Sequence, residues 1–291
     1  MKSGMKWLSL VVLVLVGFGG VFAARRLRPR TVDGLPLINP SRLRTAATHP
    51  MQYYVSLPSG WSKARTWPVV VAITGSGKTW QISADQFAAV RDAQHYPFII
   101  VLPIVITNGG RDLRNRHKSQ YSYSPSVWDR VDREGHCTFD REGLSAVIAD
   151  VAKEYNGDEK VFLTGHSAGG HLAVSEALIH PELLRGAAFA AVNYLGRCVT
   201  APTTEKKPDF VEPDTPPSIS SSPARIDLPM RFFLGTADAY AKYSATQRDN
   251  AIRDASSHGF GNVSSVDVQG ANHNPMVPIV LADFDSLLNR R

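Results

Sequence analysis

The chain has 291 residues, 43% of them hydrophobic and 20% charged, with a formal net charge of +6 at pH 7. That is ordinary globular composition, and enough chain to bury a sizeable core in one domain. The basic residues are scattered, apart from a denser patch at Arg111 to Lys118 without interleaved aromatics, so they read as solvated surface and exclude nucleic acid as a partner.

Lys2 and Lys6 precede an apolar run from Trp7 to Ala23 that ends on a small residue, the pattern of a secretory signal peptide. The rival is an uncleaved membrane anchor, because the run almost spans a bilayer and the arginines of 25–30 resist translocation. Export is preferred, giving a secreted or cell-envelope protein, with membrane attachment through residues 7–23 as the second choice. Residues 24–50 are basic, carry prolines and read as a linker, which leaves 51–291 as one domain. The two cysteines, Cys137 and Cys198, fit a single disulfide or two inert buried thiols equally well.

Within that domain, Met51 to Leu57 reads as a first strand, stopped by Pro58-Ser-Gly60. Pro68 to Ile73 is a continuous apolar run, the pattern of a strand buried on both faces of a parallel sheet. A helix is predicted over Ser83 to Gln94 and a second buried strand over Phe98 to Leu102. A polar loop runs from Thr107 to about Cys137, and Phe139 to Tyr155 has helical spacing with Asp140 as a cap. Further strands are predicted at Gly186 to Val192, Pro229 to Gly235 and Val263 to Val268, with an irregular excursion over 197–227. A helix from Tyr243 to Ser257 and another near the terminus complete the chain. Strands alternating with helices imply an α/β fold with a mostly parallel central sheet and helices on both faces.

The most informative stretch is Lys160 to Val174. An apolar run there passes through Gly165-His-Ser-Ala-Gly169 into a helix-forming segment. That is a strand, a sharp turn and a helix with Ser167 at the apex, where flanking side chains would clash and glycines do not. A serine hydroxyl needs an imidazole to take its proton and a carboxylate to orient that imidazole. Both should follow later strands, in the order Ser, Asp or Glu, His. Asp238 follows the strand ending at Leu234, and His273 follows the last strand. Taken alone, Asp238 would be a turn residue as readily as a catalytic acid, and His273 a surface residue. Their shared order and placement with Ser167 favour a triad. His166 and His171 compete for the base, but a base must reach Ser167 from another loop, so His166 is expected to pack beside the turn. Acyl transfer also develops an oxyanion that needs two converging N–H donors. These are assigned to the amides of Ala168 and Ser76, with Gly75 or Gly77 as alternatives to Ser76.

The segments 73–79 (Ile-Thr-Gly-Ser-Gly-Lys-Thr), 165–170 (Gly-His-Ser-Ala-Gly-Gly), 235–238 (Gly-Thr-Ala-Asp) and 270–273 (Gly-Ala-Asn-His) resemble an α/β-hydrolase. Among its branches the chain is most similar to secreted esterases of the polyhydroxybutyrate depolymerase and feruloyl esterase group, with Thr74 where that group commonly has His. The resemblance covers about residues 51–285 and implies a serine esterase without metal or organic cofactor, acting on a small-molecule or polymer ester. Ser167 to Ala173 is also similar to hormone-sensitive-lipase-like esterases and prolyl-oligopeptidase-type peptidases.

Residues 72–79 also fit a relaxed phosphate-binding loop, but Ala72 stands where the strict form has Gly and no strand ends in a magnesium-binding Asp. Lys78 is then a solvated loop residue. The expectation is a serine hydrolase cleaving carboxylic esters. Its rivals are a serine peptidase of the same fold and a non-catalytic binding protein that kept the fold. Tyr121, Tyr123 and Trp128 either line an acyl pocket or pack the 107–137 loop onto the domain.

Overall fold

The computed structural model describes residues 30–77, 79–108, 121–196, 198–199 and 218–290. The apolar run at 7–23, Lys78, the Arg111–Lys118 patch and most of the 197–227 excursion therefore lie outside the described residues. Within them, a short antiparallel pair, β1 (Thr31–Val32) and β2 (Leu35–Pro36), precedes a sheet of eight strands. Those strands are β3 (Arg42–Thr45), β4 (Gln52–Ser56), β5 (Val69–Ile73), β6 (Ile99–Pro103), β7 (Val161–His166), β8 (Leu184–Ala190), β9 (Met230–Gly235) and β10 (Val263–Val268). Their spatial order is β10-β9-β8-β7-β5-β6-β4-β3. Only β4 runs against its neighbours, and the pairs from β6 through β10 are all parallel.

Among the described residues seven α-helices connect and cover these strands: α1 (Trp80–Ala93), α2 (Pro125–Glu134), α3 (His136–Tyr155), α4 (Gly170–Ile179), α5 (Ala224–Asp227), α6 (Ala241–Ser257) and α7 (Val277–Leu288). Every residue of β5 and β6 is buried, and alternation sorts them between two cores. Val69, Val71 and Ile73 join Leu144, Leu172, Leu178 and Ala251 from α3, α4 and α6 on one face. Val70 and Ala72 join Phe87, Val280 and Phe284 from α1 and α7 on the other. Each such Val or Ile contributes about 1.5–3 kcal/mol through burial, which is why these strands read as unbroken apolar runs rather than alternating ones. The fold is that of an α/β-hydrolase.

Three local features differ from the sequence reading. The described part of the 24–50 segment is not an isolated linker, since Leu37 and Ala46 are buried and β3 pairs with β4 at the edge of the sheet. Every residue of β3 is exposed, so it has no hydrophobic signature to announce it. Within the supposed loop 107–137 stands α2, opened by the Ser124 cap, whose hydroxyl accepts the Val127 N–H, and by Pro125 at its first position. Finally, α3 begins at His136, so Asp140 lies inside the helix and not at its start. Its buried carboxylate accepts the N–H groups of Ile106 (3.1 Å) and Thr107 (2.7 Å) from the loop after β6. Burial pushes this carboxyl up to about 7, against the two backbone donors that hold it down.

Cys137 and Cys198 form a disulfide with a Cα–Cα separation of 5.4 Å, which resolves the choice the sequence left open. It ties the start of α3 to the segment that follows β8. Arg141 reinforces the tie by pairing with the buried Glu176 of α4 (2.7 Å) and donating to the Cys198 carbonyl (3.3 Å). The crosslink closes a sequence separation of 61 residues, so replacing both cysteines by serine is expected to cost roughly 2–4 kcal/mol. Urea unfolding of the two proteins measures this, and coincident midpoints would contradict it.

Candidate active site

The parallel register decides which loops meet. Ile73 of β5 pairs with Gly165 of β7, so the turns leaving these two strands emerge side by side. Leu234 and Gly235 of β9 pair with Asp267 and Val268 of β10, so the turns carrying Asp238 and His273 do the same. Those two turns are also laced by backbone hydrogen bonds, Thr236 N–H to the Val268 carbonyl (3.0 Å) and Ala237 N–H to the Ala271 carbonyl (3.0 Å).

Ser167 stands at the apex between β7 and a single 3₁₀ turn, Ser167–Gly169, that runs into α4. Its φ is 49°, a left-handed conformation that a residue with a Cβ adopts only when its surroundings impose it. One such restraint is the Asn193 N–H, which donates to the Ser167 carbonyl at 2.9 Å. Another is the lack of room at Gly169, where a Cβ would come within 2.4 Å of the Ile73 carbonyl oxygen and 2.5 Å of that of Thr74. The turn is thus pressed backbone to backbone against the end of β5.

His273 and Asp238 are directly paired. Nδ1 of the imidazole lies 2.8 Å from Asp238 Oδ2, and the carboxylate is fully buried while the imidazole keeps 23% of its surface exposed. The other carboxylate oxygen accepts the Tyr240 N–H at 2.6 Å. Asp238 therefore closes an Asx-type turn with one oxygen and pairs with the His273 ring through the other. No hydrogen bond joins Ser167 to His273 among the described residues. The ring of His166, the residue before Ser167, lies 5.0 Å from that of His273 between centroids. Tyr240 contacts His273 edge-on at 5.1 Å between centroids and is itself 61% exposed.

His166 does pack beside the turn, as the sequence suggested. Burial above all, helped by the nearby His273 and opposed by Asp238, lowers its pKa to about 4. It is a neutral neighbour of His273 at ordinary pH. Ala168, next after Ser167, is buried at the start of the turn. Across from it, a Cβ on Gly75 would lie 3.1 Å from Ser167 Cβ, so the 73–77 loop passes directly over the serine. Ser76 and Gly77 lie in an exposed turn of that loop. His171 is buried within α4. Tyr121, Tyr123 and Trp128 do not line this site. They pack with Ile104, Ile106 and Phe139 and hold α2 to the domain, the second of the two roles considered for them. Among the described residues no group of three His, Cys, Asp or Glu side chains is disposed to hold a metal ion.

The contacts of Tyr240 and His166 with His273 were not readable from spacing, because each depends on which loops the sheet brings together. Only the Asp238–Tyr240 turn had a local signal, an Asp two residues before the N–H it accepts.

The Esterase family model matches residues 45–242, a span that includes Ser167 and Asp238 and ends before His273. The chain belongs to the esterase family. It is a carboxylic ester hydrolase. No curated protein matches it. Among solved structures it is similar to an S-formylglutathione hydrolase from Agrobacterium tumefaciens, at 15% identity over 89% of this chain and 96% of that one, with a TM-score of 0.56. A ferulic acid esterase from Anaeromyces mucronatus gives 14% identity over 89% and 93%, with a TM-score of 0.56. A thermophilic esterase from Thermogutta terrifontis gives 16% over 88% and 94%, with a TM-score of 0.54. At these identities the likeness is one of fold. Among the described residues of the esterase, no helix is long and apolar enough to cross a membrane.

Two outcomes follow from the packing around the turn. Gly169→Ala should destabilise the esterase by about 1–3 kcal/mol, because the added carbon meets backbone that cannot rotate away. Urea unfolding reads the change, and an unaltered midpoint would contradict the contact. The second concerns pH. His166 binds its proton near pH 6.5 when unfolded but only near 4 when folded, so stability falls as the pH drops through that window. His166→Asn removes this contribution, while His49, also lowered to about 4 by burial, keeps its own. The variant's unfolding free energy should decline less steeply between these pH values, and parallel declines would refute the assignment.

Proposed function

We propose that this esterase hydrolyses its substrates through an acyl-enzyme on Ser167. Ser167 Oγ attacks the acyl carbon while His273 Nε2 takes the hydroxyl proton. The resulting oxyanion is held by the amides of Ala168 and Ser76. Collapse of the tetrahedral intermediate breaks the ester bond, and the imidazolium returns the proton to the departing alcohol. Water, deprotonated by the same imidazole, then releases the carboxylic acid and restores Ser167. Asp238 holds the His273 ring and stabilises its charged form throughout.

One observation carries this reading: the bond between His273 Nδ1 and the buried Asp238 carboxylate. It fixes the tautomer with the proton on Nδ1 and leaves Nε2 as the basic nitrogen. The φ of 49° at Ser167 supports it, since such strain collects at functional turns. The chemistry calls for no metal or organic cofactor, and the substrate is a small-molecule or polymer ester. Export is part of the same proposal, directed by the apolar run at 7–23 behind Lys2 and Lys6.

Mixing the full chain with p-nitrophenyl butyrate should give a pre-steady-state burst of nitrophenol. Ser167→Ala should abolish the burst and lower kcat by about a thousandfold or more. A fluorophosphonate should add its mass to the native chain and not to the variant. Turnover that survives Ser167→Ala would end this reading.

A further inference from the structure

We infer that Asn108 is a positioning residue that aims the Ser76 amide at the reacting carbonyl. The inference rests on the acyl-enzyme reading and extends it to a side chain that touches no substrate. Asn108 lies in the loop after β6, outside the triad and its strands, and is completely buried. Its Nδ2 donates to the carbonyl of Thr74 at 2.9 Å and, more weakly, to that of Gly75 at 3.4 Å.

Those two acceptors matter because of the planarity of the peptide bond. The Gly75 carbonyl and the Ser76 N–H belong to one rigid unit and point in opposite directions. Likewise the Thr74 carbonyl and the Gly75 N–H share a plane. Drawing both carbonyls toward Asn108 therefore turns both N–H groups away from it. This is the stretch that passes over Ser167, so close that a Cβ on Gly75 would lie 3.1 Å from the serine Cβ. The loop contains Gly75 and Gly77, which offer little conformational resistance of their own. An external restraint on its carbonyls thus has a specific effect, fixing the direction of an oxyanion donor before substrate arrives.

Asn108 is in turn held from behind. The two residues before it, Ile106 and Thr107, give their N–H groups to the buried Asp140 of α3, and the Tyr121 hydroxyl donates to the Val105 carbonyl at 3.2 Å. A continuous path of hydrogen bonds and peptide planes thus runs from α3 through 105–108 to the loop over Ser167. Burying an amide costs free energy unless its hydrogen bonds are made, and the buried Asn108 Oδ1 has no partner among the described residues, so only the Nδ2 bonds offset that cost. Asn108 spends both of its described bonds on this one loop.

The test compares Asn108 variants with the wild-type full chain on p-nitrophenyl butyrate. Asn108→Ala should lower kcat by about 10- to 100-fold, less than or equal to the loss of an oxyanion donor, with KM within about twofold. Inhibition by phenylboronic acid, which forms a tetrahedral adduct on the serine, should weaken by the same factor as kcat. Asn108→Asp keeps the volume but places a carboxylate against two carbonyls. It can donate an O–H only when protonated, so its kcat relative to wild type at equal pH should rise as the pH falls. A kcat for Asn108→Ala within twofold of wild type, or a loss confined to KM, would overturn the inference. If Asn108→Ala does not fold, Asn108→Asp decides alone, and a ratio independent of pH overturns it. If Ser167→Ala remains active, the acyl-enzyme reading fails. If Ser167→Ala is inert while both Asn108 variants match wild type, only the role of Asn108 fails.

Discussion

The backbone contact between the turn after β7 and the end of β5 is the constraint on which the rest of the site depends. Gly169 lies against the Ile73 and Thr74 carbonyls with no space for a further carbon. That contact fixes how far Ser167 stands above the sheet and where the 73–77 loop passes relative to it. It exists because β5 and β7 are parallel neighbours in register, both buried on two faces by separate cores. The hydrophobic effect sets the strand positions, and the strand positions set the chemistry. Strain at Ser167, worth on the order of 1–2 kcal/mol, is small beside the burial that sustains it.

Much of this was legible in the sequence, for identifiable reasons. A strand buried on both faces leaves an unbroken apolar run, so β5, β6, β7 and β8 announced themselves. The G-x-S-x-G turn is read from glycines whose absence of a Cβ is the structural requirement itself. Asp238 and His273, which the structure pairs, could be singled out together because a strand's end can be located and the fold orders the residues that follow it. What escaped had no local pattern. All four residues of β3 are exposed, so nothing in their polarity distinguishes an edge strand from a linker. Asp140 fitted a cap by composition, yet its carboxylate serves backbone groups more than thirty residues away. Asn108 lies in a polar stretch where an asparagine looks like a turn residue, and its meaning comes from a loop 33 to 34 positions earlier. The α2 helix is a different kind of miss, since Ser124 and Pro125 did spell its start.

The pairing of Asp238 with both His273 and the Tyr240 N–H illustrates how a buried carboxylate is made tolerable. Its two oxygens are each satisfied, one by a side chain and one by the main chain of its own turn. The turn then cannot relax without disturbing the imidazole. Local chain geometry and the orientation of a distant ring are thereby coupled through one group.

The placement of β3 has a bearing on how the polypeptide can be shortened. It forms the outer border of the sheet and shields β4, whose Tyr53 and Val55 are buried. Arg42 and Arg44 alternate along it as exposed residues, and charged side chains on a border strand discourage stacking with other molecules. A chain trimmed to residue 51 would lose that guard and bare the main-chain hydrogen-bonding groups of an apolar strand. The natural expectation for such a fragment is self-association through β4, even though every residue of the candidate active site would still be present.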